Sequence, residues 1–182
     1  MNVLIVVDYQ VDKVTGIFKN KTYEENEWPI VSIIRDYLEN DYPVYYTIEE
    51  NEKDYDATLK SKIIDTPYCI KNTYGAELYG EVKVYLKEYG IACPKSQFGS
   101  TSLIRKLRGQ NTKLLEQSKT GIERVEILGN FMEYDIMTIA IMCRSALPEA
   151  NIVVNGRLTG YMNIERAKIA LEAMRMVGVK VR

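Results

Sequence analysis

Short apolar runs alternate along this chain with longer stretches in which apolar residues recur every three or four positions. The short runs are Val3–Val7, Pro43–Ile48, Ile91–Pro94, Val125–Leu128, Ile152–Val154 and Val179–Val181, and each reads as a strand. Glu27–Glu39 predicts a helix, with Pro29 suited to its first turn and Val31, Ile34 and Leu38 along one face. Ala76–Lys87 predicts a second helix, stopped by Gly90, and a third lies near Ser102–Leu107. Glu133–Leu147 is apolar on nearly every side (Ile136, Ile139, Ala140, Cys143, Leu147), which predicts a deeply packed helix. Asn163 is placed to cap a last helix whose Ile164, Ala167, Leu171 and Met174 face inward and which Gly178 stops. Strands alternating with helices predict an α/β fold: three layers, α/β/α, around a doubly wound, mainly parallel six-stranded sheet. A long polar connection runs from the second strand to Thr73. No repeat, linker or low-complexity tract interrupts the pattern, so one domain over 1–182 is expected.

Composition narrows the chemistry more than the fold. A net charge of −1 gives no electrostatic reason to expect nucleic acid or an anionic membrane as partner. No apolar run approaches the roughly 20 residues of a membrane span. Val3–Val7 is too short for a signal-peptide core and runs straight into Asp8, so the expected location is cytoplasmic. The three cysteines, Cys69, Cys93 and Cys143, are scattered without metal-ligand spacing, which argues against a disulfide framework or a zinc site. The chain has no histidine at all. Histidine-dependent nucleophilic triads, histidine zinc sites and histidine proton shuttles are therefore excluded, and acid–base work falls to carboxylates, lysine, tyrosine or cysteine. No cofactor or metal is expected: Mg²⁺ or Mn²⁺ held by Asp8 and Asp135 would compete with Lys95 for the same charges.

Ligands of open parallel sheets bind beyond the carboxyl ends of the strands, near the point where strand order reverses. Asp8, Lys95 and Asp135 stand at such strand ends. One charge there is ordinarily a solvated loop residue or a helix cap, but three at successive strand ends favour a shared site. The segments around them carry a resemblance. Val6-Val7-Asp8-Tyr9-Gln10-Val11-Asp12 resembles the D-x-Q-x-D-F opening of isochorismatase-like hydrolases, a superfamily that includes nicotinamidases and related cysteine amidases. Cys69-Ile70-Lys71-Asn72-Thr73-Tyr74-Gly75-Ala76-Glu77-Leu78 resembles their C-x-x-G-T-x-G-x-E-L segment, and Lys95-Ser96-Gln97-Phe98-Gly99-Ser100 the segment around their catalytic lysine. Leu128-Gly129-Asn130-Phe131-Met132-Glu133-Tyr134-Asp135 lies where the family has G-x-x-x-(D/N)-x-C. Ala146-Leu147-Pro148-Glu149-Ala150 resembles a bacterial branch of the same group.

This resemblance implies roles. Asp8 would stand where the family has its acid or base, Lys95 where a lysine stabilises negative charge, and Asp135 where a cysteine attacks an amide carbonyl. Backbone N–H groups of Phe131 and residue 135 would form an oxyanion hole beside a cis Asn130–Phe131 peptide. Family members commonly form dimers or tetramers, so a homo-oligomer is expected. The departures matter as much. Asp135 replaces the nucleophile, and Cys143 lies eight residues further on, about 12 Å along a helix, too far to substitute. Lys13 replaces the opening phenylalanine, Glu49-Glu50-Asn51 replaces the metal-binding D-x-H segment of nicotinamidases, and Val154-Asn155-Gly156 replaces the usual V-D-A.

A carboxylate is a far weaker nucleophile toward an amide than a thiolate, and a helix N-terminus and Lys95 would stabilise its charge further. Asp8 opposes this by like-charge repulsion, so the pair is expected to titrate together. Three readings follow. The first is a protein that binds or sequesters a small aromatic or nucleotide-like ligand bearing an anionic group, using Tyr9, Lys13, Lys71, Phe98, Asn130, Phe131 and Tyr134 beside Asp8, Lys95 and Asp135. The second is a non-cysteine hydrolase that acts on an amide or vinyl ether through Asp8 and Lys95. The third is a structural subunit paired with an active relative.

Overall fold

The computed structural model describes residues 1–19, 21–117 and 120–182. Six parallel strands lie in the order β3-β2-β1-β4-β5-β6: β1 is Asn2–Val7, β2 Val44–Glu49, β3 Ile91–Lys95, β4 Arg124–Gly129, β5 Asn151–Thr159 and β6 Lys180–Val181. β1 is the centre. Its Val6 aligns with Tyr46 of β2 on one side and Leu128 of β4 on the other, and strand order reverses between β1 and β4. A strand covered on both faces needs apolar residues at every position, and Val3–Val7 are all fully buried.

Alternate residues of β1 serve opposite faces. Val3, Ile5 and Val7 pack with Leu103 and Leu107 of α5 (Thr101–Glu116), with Ile139 and Cys143 of α6 (Met137–Ala146), and with Ala167 and Met174 of α7 (Ile164–Met176). Leu4 and Val6 pack with Ile30 and Ile34 of α3 (Glu27–Glu39) and with Val82 and Leu86 of α4 (Gly80–Tyr89). The result is the three-layer, doubly wound architecture read from the sequence, with every strand pairing parallel. Two short helices, α1 (Val11–Val14) and α2 (Lys21–Glu25), fill the passage from β1 to α3. No helix among the described residues is long and apolar enough to cross a membrane.

Several boundaries differ from the sequence reading, each for a local reason. The helix expected from Ala76 begins at Gly80, because Leu78 pairs with Gln10 in an antiparallel bridge and Tyr79 N donates to Tyr9 O. α5 runs to Glu116 rather than Leu107, since Leu114 continues the inward face set by Leu103 and Leu107. The stretch from Glu133 opens as a π-helical turn, Met132–Ile136, before α6 starts. Asn163 caps α7 as expected, its side chain accepting from Arg166 N at 3.0 Å. Ile164 faces solvent instead of the core, and Ala167, Ala170 and Met174 form the buried stripe. The polar connection after β2 is not an open loop: it buries Tyr55, Ile64, Tyr68 and Cys69 as a third cluster.

Candidate functional site

The chain is turned sharply at the end of β1. Asp8 adopts a left-handed backbone, φ 46°, a region that Asp tolerates better than most residues at a cost of about 1–2 kcal/mol. Gln10 then ties this turn to β2: its amide donates to Glu49 O (2.9 Å) and Ala76 O (2.7 Å), and its oxygen accepts from Glu49 N (2.8 Å). Asp12 accepts from Cys69 N at 2.7 Å and so pins the long connection against α1. These bonds fix α1 so that Lys13 points inward, although it is a lysine with no exposed surface.

Three carboxylates and three ammoniums converge there. Lys13 Nζ lies 2.8 Å from Asp8 Oδ2, 2.5 Å from Glu49 Oε2 and 3.1 Å from Asp135 Oδ2. Lys95 Nζ lies 2.7 Å from Asp8 Oδ2, 2.6 Å from Asp135 Oδ1 and 3.5 Å from Glu49 Oε2, and it donates to Gln97 O. Lys60 contacts Glu49 Oε1 and donates to Asn51 Oδ1 and Ser96 O. Thr47 donates to Asp8 Oδ1 at 2.6 Å and Tyr68 to Glu49 Oε1 at 2.9 Å. Asp8, Lys13 and Glu49 are completely buried and Asp135 is 1% exposed. With all six groups ionised their charges cancel, which is the condition for burying ions at tolerable cost.

The electrostatics follow from this enclosure. Burial alone would raise the Asp8 carboxyl, but the Lys13 and Lys95 ammoniums overcome it and hold Asp8 far below the usual carboxylate range. Burial would lower Lys13, yet Asp135 and Asp8 hold it well above an ordinary lysine. Lys60 is pushed down to about 7 by burial and by Lys95, against the pull of Asp135. The Lys13 ammonium also faces two rings, 5.1 Å from the centroid of Phe131 and 5.5 Å from that of Tyr68, within cation–π range.

Of the residues expected from sequence, Asp8, Lys13, Lys95 and Asp135 meet in this cluster and Phe131 borders it. The expected cis Asn130–Phe131 peptide is present. Phe98 and Tyr134 stack at 5.1 Å, and Lys60 Nζ lies 5.2 Å from the Phe98 ring, so this pair flanks the cluster. Tyr9 does not join it: its hydroxyl donates to Tyr23 O and its ring belongs to the α3/α4 side of the core. Lys71 is exposed, and its backbone N donates to Asn51 O. Asn130 is buried, and its Nδ2 has no hydrogen-bond partner among the described residues. Glu49, Lys60, Thr47 and Tyr68 were missed as site residues. Glu49 carries the same signal as Asp8 and Lys95, a charge at a strand end. Lys60 and Tyr68 lie in a connection without periodicity and carried none.

A profile of the isochorismatase domain matches residues 2–182 of this sequence. The chain belongs to the isochorismatase family. Among solved structures similar to this isochorismatase-family chain is the pyrazinamidase of Pyrococcus horikoshii in complex with zinc (TM-score 0.79, 21% identity, 100% of this chain and 98% of that one). The nicotinamidase/pyrazinamidase of Bacillus subtilis aligns with TM-score 0.78 at 20% identity, over 99% of this chain and 98% of its own. N-carbamoylsarcosine amidase from Thermoplasma acidophilum follows with TM-score 0.73 at 14% identity, over 100% and 95% of the two chains. A comparison with curated protein sequences finds no match. At these identities the structural likeness establishes the fold.

The zinc of the Pyrococcus relative raises the question of whether a metal suits this cluster. Carboxylate oxygens of Asp8, Glu49 and Asp135 do lie within 4.8 Å of one another. Each of these carboxylates, however, is already engaged by a lysine ammonium, and the Asn51 oxygen is held by Lys60. With no imidazole in the chain and ammonium charge among the oxygens, the residues do not fit a zinc ion.

Proposed function

We propose that this isochorismatase-family protein binds a small aromatic or nucleotide-like molecule without forming a covalent intermediate. The observation that carries the reading is the state of Asp135. Its carboxylate, at the position where the family resemblance expects a cysteine, is buried and held by Lys95 at 2.6 Å and Lys13 at 3.1 Å. A carboxylate neutralised by two ammoniums has little nucleophilicity left for an amide carbonyl. Asp8 is likewise held ionised by Lys13 and Lys95, which suits it poorly as the proton donor a vinyl ether would need. Hydrolysis is thus disfavoured at both ends of the site.

Lys13 acts as the closure of the site. A ligand that enters must displace it from the carboxylates, and must therefore bring hydrogen-bond donors or positive charge to Asp8 and Asp135. A flat ring would take the place of the Lys13 ammonium beside Tyr68 and Phe131. The released Lys13 ammonium is then free to meet an anionic group elsewhere on the same molecule. Thermal melting against a panel of heteroaromatic bases, nucleosides and nucleotides tests this. A ligand at about 100 times its Kd stabilises by about 2.7 kcal/mol, which raises the Tm by roughly 5–10 °C for a chain of this size. A flat response across the panel, with no small molecule carried through native mass spectrometry, overturns the binding reading.

The sharper test of lost covalent chemistry is Asp135→Cys combined with Lys13→Phe. Turnover of an aromatic amide by this double variant, absent from the parent, is the expected outcome. Amide turnover by the unaltered protein would refute the non-covalent reading directly.

A further inference from the structure

α5 is a 16-residue helix with a glycine near its middle. Gly109 is exposed, and a Cβ placed there would meet nothing within 4 Å. Neither close packing nor a left-handed backbone therefore asks for glycine, although glycine is among the poorest residues for a helix interior. What the missing side chain leaves is room. Gly109 lines a cavity of about 400 Å³ together with Ile104, Arg105, Arg108 and Thr112 of α5 and Met142 of α6. That volume falls within the roughly 300–1,000 Å³ of small-molecule sites.

The charges on this surface are one-sided. Arg105, Lys106, Arg108 and Lys113 stand on α5 and Arg144 on α6, while the two helices carry a single carboxylate, Glu116. Glu116 lies eight residues beyond Arg108, about 12 Å along the helix axis. Helical spacing puts Arg105, Arg108, Gly109 and Thr112 on one face, with the two arginines one turn apart. Neither guanidinium has an ion-pair or hydrogen-bond partner among the described residues. Ile104 and Met142 are half-buried and give the same cavity its apolar surface. A guanidinium presents a planar fork of donors that matches phosphate oxygens, and two of them suit a doubly charged head.

We infer that the groove between α5 and α6 binds a small organic phosphate, its anionic head held by Arg105 and Arg108 and its apolar body against Ile104 and Met142. Thr112 offers a hydroxyl to the same ligand, and Gly109 leaves the opening that a larger side chain would fill. The groove shares no residue with the ionic cluster. It is a second site, and its occupancy does not depend on which ligand, if any, the cluster receives.

Titration of the full chain with phenyl phosphate, followed residue by residue by heteronuclear NMR, tests this. Expected are saturable shifts at Arg105, Arg108, Gly109 and Met142. Inorganic phosphate, which lacks the apolar body, should bind the same residues roughly tenfold more weakly. The double variant Arg105→Gln/Arg108→Gln should weaken phenyl phosphate by roughly tenfold or more. Gly109→Leu should abolish the shifts by filling the opening, while its Tm rises by roughly 2–4 °C because leucine is the better helix former. The inference is overturned if no saturable shift appears at the groove, or if the shifts are confined to the ionic cluster. Equal affinities for phenyl and inorganic phosphate, or an unaltered affinity in either variant, overturn it as well.

Discussion

Val7 and Asp8 are adjacent in sequence and equally buried, yet they belong to two kinds of interior. Up to Val7 the centre of the molecule is apolar: Val3, Ile5, Val7 and Ile127 touch other hydrocarbon and need no particular partner. One residue later the interior is ionic, and Asp8, Lys13, Glu49 and Asp135 are buried only because each finds an opposite charge within about hydrogen-bond distance. Apolar burial is graded, worth about 1.5–3 kcal/mol for a large side chain, and loses strength in proportion to what is removed. Ionic burial is close to all-or-none, since deleting one member strands the others. The lesson is that equal burial conceals opposite tolerances to change. The proposed ligand site lies where the tolerance is lowest, at the carboxyl ends of the strands.

The largest expected effect comes from breaking the ionic interior at its most connected member. Lys13→Met keeps the length of the stem and removes one charge from among three carboxylates. It should lower unfolding free energy by about 3–5 kcal/mol, the range for stranding buried ions, read as a lower urea midpoint at unchanged slope. The double variant Lys13→Met/Asp135→Leu should recover part of that loss, because it removes a carboxylate together with its ammonium. If the double variant is less stable than the sum of the singles, the two residues are not acting as a charge pair and the contrast between the interiors fails.

Acid should separate the interiors next. Asp8 is depressed in the folded protein, so its stabilisation is fully present above its unfolded value near 3.8 and is lost as pH falls below that toward the depressed folded value. Lys13 is raised, so its contribution is complete below about 10.5 and is lost as pH climbs beyond it. Lys60 runs the other way: lowered to about 7, it destabilises fully below that pH and the penalty is relieved as pH rises toward 10.5. Melting temperature should therefore drop steeply below pH 4 and hold through mild alkali. In Lys13→Met the acid drop should flatten, since the ammonium that most depresses Asp8 is gone. An acid limb identical in parent and variant would show that other carboxylates set it.

The two interiors were also unequally legible in the sequence. Val3–Val7 declares a doubly covered strand by composition alone, and the six runs of this kind give the sheet and its layers. α3 was readable from Glu27 to Glu39 because Val31 and Ile34 keep helical spacing. The ionic interior was half legible. Asp8, Lys95 and Asp135 stand at strand ends, where topology brings charges together. Glu49 stands at one too, but in the sequence it reads only as part of Glu49-Glu50-Asn51, the segment that replaces a metal-binding D-x-H. Lys60 and Tyr68 could not be seen, because a non-periodic connection gives no sign of which side chains it buries. Lys13 was visible as a departure, yet its direction depends on the Gln10 and Asp12 bonds that orient α1, and these are long-range.

Between the two extremes lies Thr47, a β2 residue at the border whose hydroxyl donates to Asp8 Oδ1. Thr47→Val preserves shape and strand propensity and removes only that bond, so a loss of about 2 kcal/mol is expected, in the range for a hydrogen bond to an ion. The loss should shrink as Asp8 is protonated, and a loss independent of pH would assign it to packing instead.

The smallest effect belongs to the purely apolar side. Ile5→Val deletes one methylene from the middle of β1, between the two neighbouring strands it pairs with, and should lower stability by about 1 kcal/mol. No charge changes, so the shift should be the same at pH 4, 7 and 9 and in low or high salt. It should also add to that of Lys13→Met, since a residue in the sheet centre shares no ion-pair partner with the cluster beyond β1. Calorimetry of both singles and the double across those pH values would check this. A pH-dependent Ile5→Val penalty, or strong coupling to Lys13→Met, would mean that the apolar strand and the ionic end are one cooperative unit rather than two interiors meeting at Asp8.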